Sequence, residues 1–269
     1  MNTRGFAPPV LLVPAVIGVA FLVVPLAALV GRVQWPTLWS DITSVEAMDA
    51  LRLSVATGLV ATALCLLFGV PLAMLIARSR PRAAAVLRAA VTVPLVLPPM
   101  VGGLSLLFLF GRTGWWGGLG LQIPFTTTAV ILAQTFVAMP FLVLALEGAL
   151  RTSGVEYESA AAQLGAGRWT ILWRVTLPLA APGLLSGVVL CFARAIGEFG
   201  ATALFAGNAP GVTQTMPLAI YTAFNGAGVS QGAAVALSLL LLITAVAVLL
   251  LVRAWRPAGQ GPRAVEGVR

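Results

Sequence analysis

The stretch EYESAAAQLGAGRWTILWRVTLP, Glu156 to Pro178, decides the reading of this chain, because it is the longest polar interruption between two very apolar halves. Ala160, Ala161, Ala162 and Leu164 are strong helix formers, and Gly165 suits a helix C-terminus, where glycine turns at little steric cost. A second helical turn follows, with Trp169, Ile171, Leu172 and Trp173 spaced so that aromatics share one side. Pro178 suits the first turn of the next helix. The spacing predicts a short helix-turn-helix between two apolar runs. Such a unit has little reason to exist unless something docks on it.

Outward from this stretch the chain is apolar. Of its 269 residues, 59% are hydrophobic and 9% charged, and the mean hydropathy is +1.01. A soluble domain carries about a quarter charged residues. The expectation is an all-α integral membrane protein, whose useful unit is the apolar run of about 20 residues that crosses a bilayer as a helix. Such runs fall at about 7–30, 53–77, 86–110, 128–150, 179–205 and 233–252, six transmembrane helices in all. The first is too long for a signal-peptide core and no small-residue cleavage site follows it, so it reads as a retained anchor. The domain plan is an N-terminal segment (1–6), a six-helix transmembrane domain (7–254) with a polar loop at 151–178, and a C-terminal tail (255–269).

The net charge of +8 comes entirely from arginine. These residues flank apolar runs instead of forming one basic stripe, which argues against nucleic acid. With the N-terminus in the cytoplasm, Arg4, Arg78, Arg80, Arg82, Arg88, Arg151, Arg168, Arg174, Arg253, Arg256, Arg263 and Arg269 lie inside. Arg32, Arg52 and Arg112 lie outside. That is a positive-inside distribution, with both termini and the 156–178 stretch cytoplasmic. The chain has no His. Cys65 and Cys191 sit in separate apolar runs as small hydrophobes, no P-loop pattern occurs and no paired carboxylates stand out. Neither metal nor cofactor nor catalytic residues are expected, and so no enzyme activity.

Two intramembrane stretches carry the remaining information. In PLVLPPMVGG (Pro94 to Gly103), Pro98 and Pro99 followed by Gly102 and Gly103 imply broken backbone hydrogen bonds, tolerated only where protein or a cavity surrounds them. The pattern reads as a break lining a pathway. In FARAIGEFGATALFAGN (Phe192 to Asn208), Arg194 and Glu198 are four apart and are expected on one helix face, with Gly197 and Gly200 leaving room for close packing or a passing ion. Asn208 completes the candidate pathway set. A charge near mid-bilayer costs on the order of 3 kcal/mol. Two readings stand: a structural ion pair that fixes helix register, or a pathway element in which Arg194 balances an anion or the pair opens and closes. Glu147 and Arg151, also four apart, read as interfacial anchors reaching headgroups or water.

The spacing of Ala160-Ala161, Gly165, Val175, Leu177 and Pro178 resembles the EAA loop of ABC-importer permease subunits. The family's usual Glu falls on Ser159 here, with Glu158 one residue earlier. GEFGAT followed by LFAGN is similar to the molybdate permease subfamily, as are PLVLPPMVGG, LFGRTGWWG and MPLAIYTAF. Sulfate and thiosulfate permeases share a similar GE-aromatic-G core, and tungstate nearly equals molybdate in size and charge. The resemblance implies a type I ABC importer permease fold in a bacterial or archaeal cytoplasmic (inner) membrane, working by alternating access. It implies a homodimer, a cytoplasmic ABC ATPase dimer, a periplasmic or lipid-anchored oxyanion-binding protein, and molybdate as cargo. Glu158, Ser159, Ala160, Ala161, Gly165, Ala166, Arg168, Trp169 and Pro178 would then couple to the ATPase. The alternatives are a sulfate, thiosulfate or tungstate permease or, in a different class, an ion-coupled secondary transporter with Glu198 carrying a proton. Against the latter stand the lack of a detectable inverted repeat and a docking loop left without use.

Overall fold

The structure, a computed structural model, describes residues 9–226 and 231–254. The segments 1–6 and 255–269, with Arg4, Arg256, Arg263 and Arg269, lie outside the described residues, as does the side chain of Arg253. Every regular element among the described residues is helical. The first half holds α1 (Leu12–Gly31), α2 (Trp35–Ile42), α3 (Val45–Arg78), α4 (Pro81–Val96), α5 (Pro99–Phe110) and α6 (Thr127–Ser153). The second holds α7 (Glu156–Gln163), α8 (Arg168–Ile171), a π turn (Leu172–Thr176), α9 (Leu177–Ile196), α10 (Gly200–Phe205), α11 (Met216–Phe224) and α12 (Gln231–Ala254).

Four stretches are long and apolar enough to cross a bilayer: α1, α3, α6 and the continuous run Arg168–Ile196. The pair α4 and α5 makes a fifth if taken as one span, and α12 contributes a shorter apolar stretch at Gly232–Ala247. The expected runs differ from the helices in three places. Run 53–77 starts earlier, at Val45, because Ser44 caps α3 by accepting a hydrogen bond from the Ala47 amide at 3.2 Å, with Glu46 in the first turn. Run 86–110 is two helices bent by 110°. Run 179–205 ends its main helix at Ile196 and restarts at Gly200.

The hub is α6, which packs against α3 on one side and α9 on the other. Gly69 of α3 faces Leu142 and Val143, while the Cys65 thiol lies 3.6 Å from the Thr135 carbonyl, so α3 and α6 run in the same direction. Gly183 and Gly187 of α9 meet Ala149 and Ala145, so α9 runs the opposite way. Small residues dominate these contacts, as expected where lipid removes the hydrophobic drive and close packing must hold helices together. Cys65 and Cys191, read from sequence as unrelated hydrophobes, share one core cluster with Ala61, Ala138, Leu142 and Ala195. In contrast, α1 buries none of its described side chains and lies at the periphery.

Candidate functional site

The residues singled out from sequence gather at opposite ends of the bundle. At one end the chain leaves α6, forms α7, turns at Gly165 and returns. Gly165 has φ +83°, the left-handed conformation that only glycine adopts without strain, so α7 stops where the sequence places its end. The expected second helix is not separate. α8 runs through the π turn directly into α9. Pro178 accounts for the widened turn: it has no N–H to donate, and its ring crowds the carbonyl four residues back.

Within this elbow, Glu158 points inward. Its carboxylate pairs with Arg78, the last residue of α3, and accepts a hydrogen bond from the Thr176 hydroxyl at 2.8 Å. A recess of about 360 Å³ opens beside them, lined also by Ser159, Ala162 and Arg168. Ser159, Ala160, Arg168, Trp169 and Pro178 are exposed, whereas Ala161 and Ala166 are half-buried. The outer surface is apolar: Leu164 is 89% and Trp169 73% exposed, and Tyr157 and Trp173 are exposed as well. Nothing in the spacing of the sequence marked Arg78 and Thr176 as partners of Glu158. They lie 80 and 18 residues from it along the chain.

Beside the elbow, Glu147 corrects the expectation of an interfacial anchor. It is 3% exposed, and its carboxylate accepts from Arg88 Nε at 3.1 and 3.2 Å and from Arg151 Nε at 2.7 Å. The i,i+4 pair with Arg151 forms as expected. Arg88 was legible only as part of a positive cluster, and it brings α4 to α6.

At the other end, two broken helices meet. The α4 ladder closes with the Leu97 amide on the Val93 carbonyl, and neither Pro98 nor Pro99 has an N–H to extend it. α5 restarts when the Pro98 carbonyl accepts from the amides of Val101 and Gly102, at 2.9 and 3.2 Å. In the second break α9 ends at Ile196, Gly197 caps it, and Glu198 follows outside the helix. The Arg194–Glu198 pair is present at 2.6 Å, but it bridges a helix end instead of lying on one continuous face. The other carboxylate oxygen of Glu198 accepts from the Ala201 amide at 2.8 Å, satisfying an orphan donor in the first turn of α10. Glu198 is fully buried, while 26% of the Arg194 side chain is exposed.

The two breaks are packed on each other. A Cβ at Gly103 would lie 2.6 Å from the Ala201 carbonyl oxygen, and one at Gly200 would lie 2.9 Å from Pro99 Cβ. Glycine at both positions permits this approach. Gly102 faces Phe136 of α6. Phe199 stacks near Tyr221 of α11 with centroids 5.2 Å apart. Asn208 takes a different part: its amide donates to the Thr222 hydroxyl at 2.8 Å, tying the following loop to α11.

Comparison with known proteins follows the same outline. The family described as "binding-protein-dependent transport system inner membrane component" matches residues 69–257. The molybdenum transport system permease protein ModB of Mycobacterium tuberculosis is 52% identical over 254 residues, covering 93% of this chain and 95% of its own length. The sulfate transport system permease protein CysW of Synechococcus elongatus is 39% identical over 181 residues, 66% of this chain and 63% of that one. Among solved structures, a bacterial alginate ABC transporter in complex with its alginate-bound periplasmic protein aligns with TM-score 0.67 at 18% identity. It covers 91% of this chain and 92% of that chain, a likeness of fold.

Proposed function

We propose, from the premise that this chain belongs to the binding-protein-dependent transport system inner membrane components, that it is the membrane-spanning permease of an ATP-driven molybdate importer. The observation that carries the cargo is the 52% identity to a molybdenum permease across nearly the whole chain. The chain performs no chemistry itself, and ATP hydrolysis belongs to a partner.

In this reading the protein is a homodimer in a bacterial or archaeal cytoplasmic membrane, with six spans in residues 7–254 and both terminal segments inside. An ATPase dimer seats against the elbow, where Leu164, Trp169 and Trp173 offer exposed apolar surface. A periplasmic or lipid-anchored binding protein delivers the oxyanion at the opposite end. Nucleotide binding moves the elbow, and the spans pass from an inward-open to an outward-open arrangement. The paired breaks at Pro98–Gly103 and Gly197–Gly200 are the part that changes shape. Arg194, whose side chain is partly exposed while its carboxylate partner is buried, is the cation an oxyanion would meet there.

ATP-dependent uptake of labelled molybdate into proteoliposomes holding the permease, its ATPase and its binding protein tests the cargo. Excess tungstate should compete and excess sulfate should not. The second reading, a sulfate or thiosulfate permease, rests on the 39% identity to a sulfate permease. Uptake abolished by sulfate would select it.

A further inference from the structure

We infer that Glu158 is not a docking residue of the elbow but its internal tie, the positioning contact through which movement of α7 reaches the membrane spans. This inference rests on the proposed role of the elbow in coupling. Three observations carry it.

First, α7 packs only lightly, against α8 and the π turn. None of its eight residues is buried. A helix that buries no apolar face takes little stability from tertiary packing. Second, the chain on both sides of it is glycine-jointed. Gly154 has φ +68° and Gly165 has φ +83°, with Gly167 following. A push on α7 alone would be absorbed by those joints. Third, the Glu158 carboxylate reaches two separate helices at once, Arg78 at the end of α3 and Thr176 in the π turn that opens α9.

Both helices run from this contact to the opposite end of the bundle. In α3, the Ser54 hydroxyl accepts from the amide of Met216, the first residue of α11, at 2.7 Å. A Cβ at Gly58 would lie 3.3 Å from the ring of Phe192 of α9, one turn before Ile196. α9 itself ends at the Arg194–Glu198 break. Thus one carboxylate at the elbow addresses the two helices that flank the far joint. The π turn adds to this. Thr176 is its last residue and is buried, so the hydroxyl held by Glu158 sits where a π-to-α change would shift the register of α9.

The test compares transport per ATP hydrolysed in proteoliposomes for the wild-type chain, Glu158→Gln, the single variants Arg78→Glu and Glu158→Arg, and the exchanged pair that combines those two. All are reconstituted at equal permease content. Glu158→Gln should lower transport per ATP about tenfold, the effect of losing one charge-assisted contact. The exchanged pair should recover most of it, because the Thr176 hydroxyl can accept from an arginine as readily as it donates to a glutamate. A purely structural role would alter yield and leave the ratio unchanged. Wild-type transport per ATP in Glu158→Gln would overturn the inference, as would an exchanged pair no better than its two single variants. A wild-type chain that fails to transport at all would instead overturn the functional reading.

Discussion

Glu147 and Glu198 are two carboxylates buried to nearly the same degree, at opposite ends of the bundle. Glu147 sits within unbroken α6 and holds two arginines, one from α4 and one a turn ahead. Glu198 sits in a gap between two helices and holds one arginine and one backbone amide, all from residues 194–201. The first contact reaches across 59 residues of chain and fixes one helix to another. The second is local: it joins the end of α9 to the first turn of α10 and grips no helix distant along the chain. Burial alone therefore does not assign a role to an intramembrane carboxylate. What it grips does.

The sharpest way to break this contrast is to strand Glu147. Replacing Arg88 and Arg151 together by Ala leaves a buried carboxylate without a counter-charge, a loss of about 3–5 kcal/mol. Loss of the monodisperse protein in detergent, read by size-exclusion chromatography, is the expected outcome. Gly103→Val comes next. It forces side-chain atoms against the Ala201 backbone and should cost about 1–3 kcal/mol. A lowered thermal midpoint should accompany loss of uptake, because the two breaks can no longer nest.

Gly165→Ala probes the elbow by conformation alone, since nothing lies within 4 Å of an added Cβ there. The left-handed backbone makes it cost roughly 1–2 kcal/mol. Membrane insertion should be normal and uptake reduced, measured as transport per permease. Glu198→Gln should be the mildest for stability, about 1 kcal/mol, because the amide oxygen can still accept from Ala201. Its effect should fall on uptake. A thermal shift as large as that of the Arg88/Arg151 double variant would erase the distinction between clamp and joint.

Much of this was legible along the chain because its causes are local. Pro98-Pro99 removes two consecutive donors, and Gly165 needs a left-handed backbone, so both breaks in the helical pattern could be placed from residue type. The apolar runs located helical stretches for the same reason, four of them long and apolar enough to cross a bilayer and a fifth if α4 and α5 are taken together. Contacts between distant residues were not legible. Arg78, Arg88 and Thr176 find their carboxylates only when α3, α4 and α9 are laid against α6 and α7, and no period in the sequence encodes that. The charge cluster 78–88 reads along the sequence as one positive block, which hides the separate partners of Arg78 and Arg88. Glu147 misled for a related reason: its i,i+4 arginine was visible, while the helix covering it was not. The 110° angle between α4 and α5 and the continuation of α8 into α9 were not legible either, because a proline marks where a helical ladder is interrupted and not the direction in which the chain resumes.

ATPase activity of the purified permease–ATPase complex in proteoliposomes, with the binding protein loaded in turn with molybdate and sulfate, tests the central claim most directly. Stimulation by the molybdate-loaded protein and not by the sulfate-loaded one is the predicted result. A complex whose ATPase ignores the loaded binding protein, or a permease that retains no ATPase on purification, would contradict it.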